Sequence, residues 1–230
     1  MTLVLVGTPI GNLGDLSPRA IEVLAGVDAI ACEDTRRTGR LLAQAGITAP
    51  RLLVVNEHTE AGRVPDILRR LGRGERVAVV SDAGMPGVSD PGERLVRAAI
   101  DAGHRVEVVP GPSASIAALV ASGLATGRFC FEGFLPRRGS GRTARLEELV
   151  GERRTIVLYE APHRLLRTLT DLSGRLGADR RVAVGRELTK LHEEMWRGLL
   201  GEAVHWAATT APRGELVLVI EGAAEPASVG

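Results

Sequence analysis

Short apolar runs alternate with segments of helical spacing through the first half of the sequence, and this alternation restricts the fold more than any other feature. The runs are Leu3 to Val6, Ala29 to Cys32, Leu52 to Val55, Val77 to Val80 and Val106 to Val109. Each is a buried-strand candidate by length and apolarity, with Glu107 the one charged residue among them. Between them Pro18 to Leu24, Gly39 to Ala45, Val64 to Leu71 and Leu95 to Ala102 have helical spacing, with stops at Gly26, Gly46, Gly72 and Gly103. The pattern predicts an α/β fold with a mostly parallel five-stranded sheet and right-handed crossovers.

The pattern changes after Pro110-Gly111-Pro112. A small-residue helix, Ser113 to Ser122, is expected to lead into a second unit. Its strands are expected at Phe129 to Phe131, Thr155 to Tyr159, Val182 to Val184 and Leu216 to Ile220, and its helices near Thr143 to Val150 and Arg164 to Leu176. Glu194 to Arg197 reads as an edge, Gly133 to Gly141 as a loop and the tail from Ala223 as a frayed end. The expected division is an N-terminal α/β domain, 1–112, and a C-terminal mixed α/β domain, 113–230. A chain of 230 residues suits two domains of that size. No repeat of roughly 20 to 50 residues suggests a solenoid.

With 44% hydrophobic and 25% charged residues, disorder and collagen are excluded. The net charge of +1 gives no global field toward nucleic acid, so such a partner must be held by a local patch. One candidate patch exists. Lys190 is the only lysine among 29 basic residues, and the arginines crowd at Arg137, Arg138, Arg142 and Arg145. The two cysteines, Cys32 and Cys130, have neither disulfide-framework nor metal-ligand spacing, so no metal is expected and a reducing cytoplasm fits. No window approaches a membrane span or a signal peptide.

The chemistry is expected where strands end. Gly7-Thr8-Pro9-Ile10-Gly11-Asn12-Leu13-Gly14 closes the first strand, and glycine there lets a ligand approach the backbone. The glycine spacing is wrong for a dinucleotide, and Pro9 removes an N–H that a phosphate turn needs. The fourth strand ends in a shaped loop from Ser81 to Gly92, in which Asp82 reads as a ligand acceptor and Asp90, before Pro91, as a helix N-cap. The fifth ends in Val109-Pro110-Gly111-Pro112-Ser113-Ala114-Ser115. In open α/β sheets all three turns would converge at the edge where ligands bind.

In family order, LVGTPIGNLGDLSPRA, ACEDTRRTGRLL, VAVVSDAGMPGVSDPG, VPGPSAS, FCFEGFLPR, LYEAPHRLL and GRELTKLHEE resemble the ribosomal RNA small subunit methyltransferase I family. That family methylates the ribose 2′-OH of a decoding-site cytidine in 16S rRNA, using S-adenosylmethionine on the tetrapyrrole-methylase fold. The resemblance implies a homodimer acting on 16S rRNA or the 30S subunit, with the cofactor in a cleft between two α/β domains. By position, the pocket would comprise Pro9, Ile10, Asp82, Ala83, Gly84, Val88, Ser113, Ala114, Tyr159, Glu215 and Leu216. Family members often continue into a small helical C-terminal domain, whereas this sequence ends in EPASVG soon after the last strand.

Methyl transfer to a hydroxyl is an in-line displacement that needs positioning and is helped by a base. Candidates are Glu33 and Asp34, Glu160, and Glu187 with Lys190. Asp34, Glu187 and Lys190 are the catalytic expectation. The alternatives are an acid pair bridged to Arg36 or Arg37, and a surface ion pair between Glu187 and Lys190. For RNA the candidates are Arg36, Arg37, Arg137, Arg138, Arg142 and Arg164, the cluster being either a flexible phosphate-binding arm or a solvated linker. His163 either touches RNA or caps a helix. Two other functions fit the motifs: a small-molecule methylase acting on a tetrapyrrole, and an RNA-binding protein without catalysis.

Overall fold

The structure, a computed structural model, is described for residues 1–224. The chain forms two compact units, Met1–Ser113 and the part from Ala114 onward. Most of the expected frayed tail, from residue 225, lies outside the described residues.

In the first unit β1 (Thr2–Val6), β2 (Ala29–Cys32), β3 (Arg51–Val54), β4 (Val77–Val79) and β5 (Arg105–Val109) form a parallel sheet ordered β3-β2-β4-β1-β5. The connecting helices are α1 (Pro18–Ala25), α2 (Thr35–Gln44), α3 (Glu60–Gly72) and α4 (Glu93–Asp101). Because side chains alternate along a strand, every apolar run supplies two cores. Val4, Val6, Ile30, Cys32 and Ala78 pack with Val23 and Leu24 of α1 and Leu42 of α2. Leu3, Ala31, Val77 and Val79 pack with Ile67 and Leu71 of α3 and Leu95 of α4. Each large side chain so buried contributes about 1.5–3 kcal/mol.

This topology fixes where a ligand can enter. From β1 the chain leaves through α1 on one face, and from β4, its neighbour, through α4 on the other. Adjacent strands whose crossovers leave on opposite faces open a crevice at their carboxyl ends.

The second unit has the sheet order β6-β7-β10-β8-β9, built from β6 (Phe129–Phe134), β7 (Thr155–Glu160), β8 (Arg181–Arg186), β9 (Glu194–Leu199) and β10 (Leu216–Ile220). Only β6 and β7 are parallel. α6 (Ser140–Val150), α7 (Pro162–Leu176) and α8 (Leu200–Thr210) cover one face, and α5 (Ala114–Ser122) covers the other. β9 is an edge strand, as its sequence suggested. α8 has no counterpart in the sequence reading, and the expected loop at 133–141 is shorter, since Gly133 and Phe134 belong to β6 and Ser140 starts α6.

Candidate active site and RNA-facing loop

The turns after β1, β4 and β5 meet at the carboxyl edge of the first sheet. The Gly7 N–H donates to the Val109 carbonyl at 2.9 Å, and Thr8 and Gly84 exchange main-chain hydrogen bonds of 2.9 and 3.1 Å. A Cβ on Gly7 would lie 2.6 Å from Gly111 Cα, so these two turns touch backbone to backbone. Gly84 has φ +82°, a conformation that favours glycine, although a Cβ there would meet Ile10 at an ordinary 3.4 Å. Pro9, Ile10, Asp82, Ala83 and Gly84 thereby lie on turns that touch, and the Pro112 carbonyl is 3.5 Å from where a Cβ on Gly84 would stand. Val88 stands exposed in the β4 loop.

Carboxyls gather beside these turns. The Asp82 N–H donates to Glu33 Oε1 at 3.0 Å, and the Asp34 N–H to Asp82 Oδ1 at 3.3 Å. Arg37 reaches Asp82 Oδ2 at 3.4 Å. Asp34 caps α2, accepting from the Arg36 N–H at 2.8 Å, and takes the Arg36 guanidinium as a fork at 3.1 and 2.7 Å. Those bonds from Arg36 hold the Asp34 carboxyl below the usual range, which makes it a weak base. Burial raises Glu33, opposed by the Asp82 N–H and aided by the Asp82 charge.

Asp90 is pushed up to about 7, first by burial and then by the charge of Glu33, against a hydrogen bond from Ser81. It does not cap α4. The cap position is Gly92, and the buried Glu60 carboxylate accepts from the N–H groups of Gly92, Arg94 and Leu95 at 3.0, 3.1 and 3.2 Å. Local spacing pointed to Asp90 because a cap arriving from the start of another helix leaves no local signature.

In the second unit β10 runs beside β7, pairing Val217 with Tyr159 and Leu216 with Glu160; the Tyr159 side chain packs on the α5 face of the sheet and that of Leu216 on the opposite face. Lys190 Nζ donates to Glu187 Oε1 and Glu215 Oε2, both at 2.9 Å, and Glu187 also accepts from the Glu215 N–H at 2.8 Å. Burial opposes the Lys190 charge, but the bonds from Glu215 and Glu187 outweigh it and raise the pKa. Lys190 is therefore held as an ammonium, which has no lone pair to accept a proton. The Glu215 N–H, opposed by burial and joined by Lys190, holds Glu187 low.

The arginines divide into two groups. Arg137 and Arg138 are exposed, as are Arg36 and Arg37. Arg142, expected to face RNA, is 4% exposed and bonded to Asp171, Thr168 and the Pro136 carbonyl. Arg164 is similarly committed to the Leu135 carbonyl and Glu160. Arg145, on α6, pairs with Glu132 and Glu148. The cluster thus divides between the exposed Arg137 and Arg138 and the buried Arg142, which with Arg164 bonds the loop carbonyls from inside. His163 is exposed in the first turn of α7, whose N-cap is Ala161. Among the described residues no group of three His, Cys, Asp or Glu could hold a metal, and no helix is long and apolar enough to cross a membrane.

Two α/β units, the first with glycine turns meeting at its sheet's carboxyl edge, define the class of the tetrapyrrole (corrin/porphyrin) methylases, whose sequence model matches residues 2–204. The fold is also that of a uroporphyrin-III-C-methyltransferase from Thermus thermophilus, with a TM-score of 0.67 at 23% identity over 95% of this chain and 93% of the other. The methyltransferase CobJ is similar with a TM-score of 0.72 at 22% identity, over 100% and 96%. Within that class the chain belongs to the ribosomal RNA small subunit methyltransferase I family. It is 53% identical to the member from Synechocystis sp. over 96% of this chain and 79% of the relative. The Thermotoga maritima member is 48% identical over 96% and 98%.

Proposed function

We propose that this methyltransferase transfers a methyl group from S-adenosylmethionine to the ribose 2′-OH of a cytidine in 16S rRNA, in the cytoplasm and as a homodimer. The observation that carries this reading is 44–53% identity, over nearly the whole chain, to relatives named ribosomal RNA small subunit methyltransferase I. The tetrapyrrole methylases share the fold at 22–23% identity in the two structures above, which supports the architecture alone.

The residues fit such a cofactor. The close approach of Gly7 to Gly111 and the left-handed Gly84 let the three turns pack backbone to backbone, and the proposed cofactor contacts on these turns are Pro9, Ile10, Asp82, Ala83, Gly84, Val88 and Ser113. The family resemblance also assigns Ala114, Tyr159, Glu215 and Leu216 of the second unit to the cofactor. S-adenosylmethionine, when bound, supplies an electrophilic methyl on a sulfonium. The protein's task is to hold the hydroxyl in line with it and exclude water.

For the proton, the catalytic expectation needs revision. Asp34 is tied up by Arg36, and Lys190 by Glu187 and Glu215. Lys190 suits donation or positioning of substrate oxygens. Of the carboxyls at the first sheet's edge, Asp90, pushed up to about 7 by burial, suits proton acceptance near neutrality, and burial raises Glu33 beside it.

Incubating the purified chain with methyl-labelled cofactor and either 30S subunits or uroporphyrinogen tests the reading. Label is expected in 16S rRNA; label in the tetrapyrrole alone would overturn it.

A further inference from the structure

The loop after β6 combines an exposed ring, paired cations and a rigid support. β6 pairs Phe131 with Val157 and Phe134 with Tyr159, with a register shift between Phe131 and Gly133. Residues three apart on a regular strand face opposite sides; the extra residue, Glu132, turns Phe134 onto the side of Tyr159. The Tyr159 ring lies 5.0 Å from Phe131 at 72° and 5.7 Å from Phe134 at 59°. In a chain with only three Phe, one Tyr and two Trp, this stack holds half the aromatic residues. Its outer ring, Phe134, is 52% exposed. Just beyond it Arg137 and Arg138 are exposed and form no ion pair among the described residues.

Two arginines fix this segment from beneath. Arg164 Nη2 donates to the Leu135 carbonyl at 2.6 Å, and Arg142 Nη1 to the Pro136 carbonyl at 3.1 Å. Both guanidiniums are themselves anchored. Arg142 donates to Asp171 Oδ2 at 2.9 Å and to Thr168 Oγ1 at 3.0 Å, and Thr168 Oγ1 donates to Glu160 Oε2 at 2.5 Å. Arg164 lies 3.3 Å from the other oxygen of Glu160, whose side chain is fully buried. A solvated linker would not need two consecutive carbonyls held by a buried network.

We propose that Phe134 is a stacking platform for an unpaired base of the substrate RNA, flanked by phosphate contacts from Arg137 and Arg138. Arg142 and Arg164 are positioning residues that hold the loop ready to bind. The proposal rests on the RNA-methylation reading above. An aromatic face beside cations matches a nucleotide, and stacking is the usual means of gripping a base outside a duplex. Phe134 packs 5.7 Å, ring centre to ring centre, from Tyr159, one of the residues proposed to hold the cofactor. A twofold contact between copies centred on this face would bring two arginine pairs together, at a like-charge cost.

Methylation of 30S subunits by variants tests this. Phe134→Leu keeps the apolar bulk without the ring, and should raise KM for 30S on the order of 5- to 100-fold, with kcat and cofactor affinity nearly unchanged. Phe134→Trp should restore KM. Arg137→Ala with Arg138→Ala should flatten the log-log salt dependence of binding by about 0.7 per contact, while Arg128→Ala with Arg153→Ala, at the opposite ends of β6 and β7, should not. Arg142→Lys should flatten the slope and speed amide exchange at 135, 137 and 138, which a purely structural role would not do to the slope. If that variant fails to fold, the partly exposed Arg164→Gln tests the same support. An unchanged KM in Phe134→Leu, or a dimer that it converts to monomer, overturns the proposal alone. A wild-type chain that methylates no RNA overturns the reading beneath it as well.

Discussion

Burial beside Glu33 and Asp82 places the proton equilibrium of Asp90 at about 7, inside the working pH range. In the unfolded chain an aspartate titrates near 3.9. The folded state therefore binds this proton more tightly, so its contribution to stability is present below about 3.9 and is lost as pH rises through about 7. Asp90→Asn removes the titration. Thermal melts should show the variant gaining on the wild type from about pH 5 to pH 8, and parallel melts across that range would contradict the assignment. The glycines separate space from conformation. Gly84→Ala has room for its methyl, so its cost is the positive φ, about 1–2 kcal/mol, and calorimetry should find it folded with weakened cofactor binding. Gly7→Ala must move the Gly111 backbone and should lose far more stability.

Elements were legible in the sequence where pattern and punctuation agreed. The first unit's strands are short, mainly apolar runs and its helices stop at or near glycines, so all nine of its strands and α-helices were found, with shifted ends. Sheet order was not legible, since β4 enters between β1 and β2 through contacts that no local pattern records. α8 was missed for a definite reason. It begins directly after β9 at Leu200, without a Ser, Thr, Asp or Asn cap, and Glu202 Oε2 accepts from the Leu199 N–H at 2.8 Å from inside the first turn. The same blindness to long-range caps hid Glu60. Glu60→Ala leaves three N–H groups at the start of α4 without their acceptor, and should cost on the order of 1–3 kcal/mol in denaturant melts. A loss below about 0.5 kcal/mol would show that water replaces it.

For the whole molecule, the order of the motifs made the family and fold legible, while the roles of individual charges were not. Charge type and spacing alone could not separate Arg137 and Arg138, which face solvent, from Arg142 and Arg164, which bond the same loop from inside. Likewise Asp34 and Lys190 had the chemistry of catalytic groups until their partners were known. With a net charge of +1, binding to the ribosome must rely on such local surfaces. Light scattering at micromolar concentration should give twice the 24.3 kDa chain mass, and a monomer mass would remove the homodimer from the account. The most direct test is nucleoside mass spectrometry of 16S rRNA from a strain lacking its own decoding-site cytidine 2′-O-methyltransferase, with and without this chain. The account predicts that expression restores 2′-O-methylcytidine at that site. No new 2′-O-methylation, or a methyl group on a base instead, would contradict it.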